Sequence, residues 1–191
     1  GELEALPELT SGDSTGRVVR GMGPTEGLEV WLTPPPGTDP LGGQVERRAT
    51  VDASGSFSVP GLTAGVYRAS ILPGWARGGS WPILGEGALP FEPGSSLPTP
   101  RLSTSEGVLT GRVFDDHGQP LAGAMLLVRS ATEPGRLWPP VQSDLGGFCR
   151  VADLPPGVYH LELVSGQARQ ELEVRVEADA EAVARFDLLN I

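Results

Sequence analysis

Few residues in this chain are equipped for chemistry. Asp115-Asp116-His117 sets two carboxylates beside an imidazole, a trio that could start an acid–base pair or a metal site. Sequence neighbours rarely converge on one ion, however, and no cluster of His, Cys or Glu follows at ligand spacing. The EF-hand spacing is absent too. The favoured reading is a turn, with Asp115 accepting backbone N–H groups and Gly118 supplying positive φ. Hard-cation binding by loop carboxylates such as Asp115 and Asp144 is the alternative. Serine catalysis needs a base, and only His117 and His160 are on offer, with no Gly-x-Ser-x-Gly elbow. The chain has no Lys, so neither a Schiff-base nucleophile nor a Lys isopeptide crosslink is available. No catalytic, cofactor-binding or metal-binding residue is therefore assigned, and no cofactor is expected. Cys149 stands alone, which excludes an intrachain disulfide. It is expected as an inert thiol, with an intermolecular disulfide as the alternative.

The tryptophans are more suggestive. Trp75 and Trp81 flank a Gly-rich stretch containing Arg77, and Trp138 precedes two prolines. Tryptophans in such loops stack on sugar rings or anchor protein partners. They also plug the open ends of small β-domains, and that reading is favoured because such domains have little core to spare. Trp75, Arg77, Trp81 and Trp138 form the candidate interaction surface. The segment after Tyr67 is longer than its counterpart after Tyr159, and the added residues include Trp75 and Trp81. Loops carry function more often than scaffolds do.

The elements that must hold these residues come from an internal repeat. Thr15-Gly16-Arg17-Val18-Val19 recurs as Thr110-Gly111-Arg112-Val113-Phe114. Pro24-Thr25-Glu26-Gly27 recurs as Pro120-Leu121-Ala122-Gly123, each before an apolar run. Asp52-Ala53-Ser54-Gly55-Ser56-Phe57 parallels Asp144-Leu145-Gly146-Gly147-Phe148, which sends both Phe57 and Phe148 into the core. Leu62-Thr63-Ala64-Gly65-Val66-Tyr67 matches Leu154-Pro155-Pro156-Gly157-Val158-Tyr159. The order is preserved and the offset drifts by only a few residues. The Tyr that ends the pattern suits a tyrosine corner, its hydroxyl bonded to nearby backbone. Leu172, Val174 and Val176 alternate with charges, as do Tyr159, Leu161 and Leu163 with His160 and Glu162, the mark of strands with one wet face.

About seven short strands per repeat predict an all-β chain of two tandem seven-stranded immunoglobulin-like or prealbumin-like β-sandwiches. Residues 1–13 read as a linker, 14–104 as the first sandwich and 105–191 as the second, joined near 102–107. Abundant Gly and Pro fit many strands joined by turns.

A formal charge of −10 without a basic stripe disfavours nucleic acid and anionic membranes. No apolar run is long enough to span a bilayer, so no direct membrane insertion is expected. The polar start reads as a linker left after removal of something upstream.

The second repeat resembles the carboxypeptidase regulatory-like family of transthyretin-like (prealbumin-like) sandwiches. The resemblance rests on Asp115, Gly118, Pro120, Leu121, Gly123, Ala124, Ser143-Asp144, Phe148, Leu154, Pro155, Gly157 and Tyr159. The first repeat resembles it less closely, keeping Asp52, Gly55, Phe57, Gly65 and Tyr67. The resemblance implies an accessory, non-catalytic structural or protein-interaction module of an exported bacterial protein, located in the periplasm or at the cell surface. Its expected partners are another protein or other domains of the same polypeptide. A carbohydrate-binding module using the loop tryptophans is the alternative.

Overall fold

The computed structural model describes residues 11–34, 46–76, 82–94 and 99–188. The chain divides into two compact units, Gly1–Thr104 and Ser105–Ile191. The first holds β1 (Ser11–Val19), β2 (Glu29–Thr33), β3 (Arg47–Thr50), β4 (Ser56–Thr63), β5 (Gly65–Leu72), β6 (Gly85–Phe91) and β7 (Arg101–Ser103). The second holds β8 (Gly107–Phe114), β9 (Met125–Ser130), β10 (Val141–Gln142), β11 (Phe148–Leu154), β12 (Gly157–Ser165), β13 (Ala168–Val176) and β14 (Glu181–Asp187). β1 starts at Ser11, so Ser11, Gly12 and Asp13, read from sequence as linker, belong to a strand. The rest of that linker lies outside the described residues.

Each unit pairs a three-stranded with a four-stranded sheet. The orders are β4-β1-β7 and β3-β2-β5-β6 in the first unit, β11-β8-β14 and β10-β9-β12-β13 in the second. The first and last strands of each unit run parallel to one another, β1 with β7 and β8 with β14. The other pairings are antiparallel. The first unit's core joins both of its sheets, with Val18, Phe57, Val59 and Leu102 meeting Val30, Leu32, Tyr67, Ile71 and Leu89.

The repeated Asp-x-x-Gly segments form one turn made three times. Asp52, Asp115 and Asp144 each use Oδ1 to accept the amides two and four residues on. In each, the backbone carbonyl of the Asp also accepts the amide of the Gly three residues on. Gly55, Gly118 and Gly147 take φ of 84°, 74° and 76°, the left-handed region that costs other residues most.

The tyrosine corners also recur. The Tyr67 hydroxyl donates to the Thr63 carbonyl at 3.1 Å, and the Tyr159 hydroxyl to the Pro155 carbonyl. Both corners bridge back four residues, and both rings are buried.

The facing of β11 departs from its sequence reading. Phe148 is 45% exposed, and Cys149, 3% exposed, occupies the core instead. The registers give the reason: Gly16 lies opposite Phe57, and Gly111 opposite Cys149. The core position is the fifth residue after the turn Asp in both units, so the true counterpart of Phe57 is Cys149. Counting to the visible aromatic slips by one residue, and a slip of one swaps the faces of a strand.

Candidate functional site

Of the four candidate surface residues, Arg77 and Trp81 lie outside the described residues. Trp75 sits in a turn closed by the Ala76 amide on the Pro73 carbonyl, and it is 37% exposed. Trp138 is a correction, being 2% exposed with no face open to a ligand. Its ring meets Tyr159 edge-to-face at 5.2 Å. Its Nε1 donates to the Asp153 carbonyl at 2.9 Å, and Asp153 is the positive-φ residue where β11 shifts register against β8. The indole thus fills the core and satisfies a carbonyl that the bulge leaves out of the ladder.

Sequence reasoning passed over Trp31. It lies on β2 between two core residues, 9% exposed, and packs with Leu72 and Ala76 in a cluster apart from the first unit's main core. The Arg48 guanidinium sits 3.5 Å from the ring centroid, and Trp31 Nε1 donates to Glu29 Oε2 at 3.1 Å. The signal was the unbroken apolar run Val30-Trp31-Leu32, which demands cover on both faces of its sheet. The start of the longer loop after Tyr67 helps supply that cover.

The Asp115-Asp116-His117 trio places its ligand atoms within 4.8 Å of one another. Asp115 Oδ1 is already committed to two amides, and His117 Nδ1 lies 2.6 Å from Asp116 Oδ1, with the imidazole 80% exposed. Such a group can cap a turn but has no shielded centre for an ion. Asp144 is committed in the same way. His160 lies opposite Glu173 on β13, with 3.7 Å between Nδ1 and a carboxylate oxygen.

Two further features were not foreseen. Glu162 receives Arg129 at 2.6 Å and Arg169 at 3.0 Å on the outer face of the second unit's four-stranded sheet. Its side chain is only 13% exposed, beside a cleft of about 420 Å³ that also touches His160, Glu171 and Glu173. On the outer face of β11-β8-β14, Arg112 lies over Phe114 at 5.0 Å and Phe148 at 4.8 Å, and Arg185 over Phe114 at 4.4 Å. Exposed Phe148 is therefore part of a cation–π stack. Asp187 grips Arg185 with paired hydrogen bonds that favour the charged form of each. The Cys149 thiol is pushed above its ordinary range by burial, the reverse of what a reactive cysteine needs.

No protein-family model matches the sequence, and no curated protein matches it. Among solved structures, a minor pilin of Streptococcus agalactiae is similar at 14% identity and a TM-score of 0.45, covering 93% of this chain and 96% of its own. A shaft pilin of Lactobacillus rhamnosus GG is similar at 12% identity and a TM-score of 0.46, covering 95% of this chain and 98% of its own. Catechol 1,2-dioxygenase of Pseudomonas arvilla C-1 gives 16% identity and a TM-score of 0.36 over 45% of this chain and 52% of its own. Likeness this distant fixes neither a partner nor an activity. Among the described residues, no helix is long and apolar enough to cross a membrane.

Proposed function

We propose that this chain is a non-catalytic structural or protein-interaction module of an exported bacterial protein, carried in the periplasm or at the cell surface. Its partners are another protein or the neighbouring domains of its own polypeptide. The observation that carries the reading is how the repeated motif is spent. In both units its Asp closes a turn, its Gly takes the left-handed corner, and its Tyr ties a corner to the strand that follows. Residues that sequence alone offers for chemistry are thereby used to hold a scaffold. The resemblance to carboxypeptidase regulatory-like modules supports the same role and the extracytoplasmic location.

The test is accessibility in the native organism. Protease added to intact cells, or to cells with a permeabilised envelope, should degrade the protein while a cytoplasmic marker survives. A pool that stays protected until the cytoplasmic membrane is broken would overturn the location. Turnover of a substrate by the purified chain would overturn the non-catalytic role.

A further inference from the structure

In a chain with a net charge of −10, arginines should find carboxylates, and several do. Arg48, Arg68, Arg129, Arg136, Arg169 and Arg185 each hold one. Arg17 and Arg101 hold none among the described residues. They are also directly opposite one another on the parallel strands β1 and β7. Val18 and Leu102, their neighbours in sequence, are buried, so both guanidiniums project from the outer face of the sheet. Like charges opposed across a ladder oppose folding.

The second unit repeats the pair and shows how it can be compensated. Arg112 lies opposite Arg185 in the same parallel register. There Asp187 neutralises Arg185, and the rings of Phe114 and Phe148 carry the guanidiniums. The registers place Val19, Ser56 and Ser103 at the matching positions of the first unit. None of these supplies a ring or a carboxylate. The first unit keeps the like-charged pair without either device.

Hydroxyls surround the uncompensated pair instead. Ser56 lies opposite Arg17, and Ser58 opposite Thr15. Thr99 stands two residues before Arg101 and is exposed. Thr15, Arg17, Ser56, Ser58, Thr99 and Arg101 line one concavity of about 680 Å³. Asp52 touches the same concavity. Its carboxyl is held below its usual range by hydrogen bonds from the Ser54 hydroxyl and nearby amides, so it stays charged. An anion must therefore sit toward Arg17 and Arg101.

We propose that this face binds an acidic carbohydrate. Arg17 and Arg101 receive its carboxylate or sulfate oxygens, and Thr15, Ser56, Ser58 and Thr99 bond its hydroxyls. Guanidinium forks match such oxyanions in geometry and charge. A protein partner would need an apolar anchor site at the centre of the face, and this lining is mainly hydroxyl and guanidinium. Neither Trp75 nor Trp138 lines this concavity, and the site does not depend on the scaffold reading.

The test is calorimetry on the whole chain with two probes, a heparin-derived octasaccharide bearing sulfates and an oligogalacturonate bearing only carboxylates. At least one should bind at low salt and weaken as salt rises, and which one binds identifies the oxyanion. The Arg17→Gln/Arg101→Gln variant should bind about tenfold more weakly or worse, as expected for losing charge-assisted hydrogen bonds. Arg48→Gln should bind as the parent does. No binding of either probe at low salt, or binding that survives the double substitution, overturns the proposal. So does poly-glutamate binding as tightly as the sugars, which would make the face a site for acidic protein. Melting gives an independent check. Relief of like-charge repulsion should leave Arg17→Gln melting at or above the parent temperature, and a marked fall would make the pair structural.

Discussion

The Cys149 thiol lies against Gly111, where a Cβ would come within 2.5 Å of its sulfur. Burial has two chemical consequences at this residue. Its thiolate is disfavoured and its sulfur is covered, so a disulfide-exchange reagent at mildly alkaline pH should leave the native protein unmodified. Full reaction should appear only in denaturant, and rapid native labelling would contradict the placement. Tyr159 is shifted the same way, its hydroxyl pushed above the ordinary phenol range by burial. In the folded state both groups therefore keep their protons, and stay neutral, to higher pH than usual. The unfolded chain ionises them near their ordinary values, about 8.5 for the thiol and about 10 for the phenol. Above those values the unfolded state has released protons that the folded state retains, so stability falls as pH rises. Urea midpoints should therefore decline between about pH 8.5 and 11, and Tyr159→Phe should flatten the upper part of the decline. At neutral pH the same substitution removes the bond to the Pro155 carbonyl and should cost about 1 kcal/mol.

At the scale of the element, the three Asp-x-x-Gly turns share one backbone but differ in what surrounds the glycine. A Cβ on Gly118 would meet nothing within 4 Å, whereas one on Gly147 would lie 2.5 Å from the Val113 carbonyl oxygen. Gly118→Ala should therefore cost only the left-handed strain of about 1 kcal/mol. Gly147→Ala adds a backbone clash and should cost about 3 kcal/mol or more. Chemical denaturation of the two variants checks the difference, and equal losses would mean that the β8–β11 connection yields more easily than its packing indicates. These turns were legible because Asp and Gly are chosen for local reasons that act over four residues. The tyrosine corners were legible for the same reason. Phe148 was misread because its facing depends on a count along a strand, and a phenylalanine beside a cysteine draws that count to the wrong residue. The partner of Trp138 escaped because nothing local says that a bulge at Asp153, fifteen residues away, needs its indole. The arginine pairs escaped because opposition across parallel strands joins residues far apart in sequence.

At the scale of the whole molecule, the strand ladders respect the boundary between Thr104 and Ser105. Every sheet draws its strands from one unit, and in each unit the last strand returns to pair with the first. This pairing binds the first and last strands of a unit into one sheet, so removing either strand breaks a ladder within that unit. The second unit also has its own core, with Leu126, Leu154, Leu161, Leu163 and Phe186 almost wholly removed from water. A fragment spanning Ser105–Ile191 should therefore fold alone and unfold in urea as one cooperative transition, while a fragment that stops at Asp179 should not. The shorter fragment loses β14, which exposes the inner edge of β8 and strips Phe186 from the core. A Ser105–Ile191 fragment without cooperative unfolding would show that closure of the β8–β14 pair is not enough to make the unit autonomous.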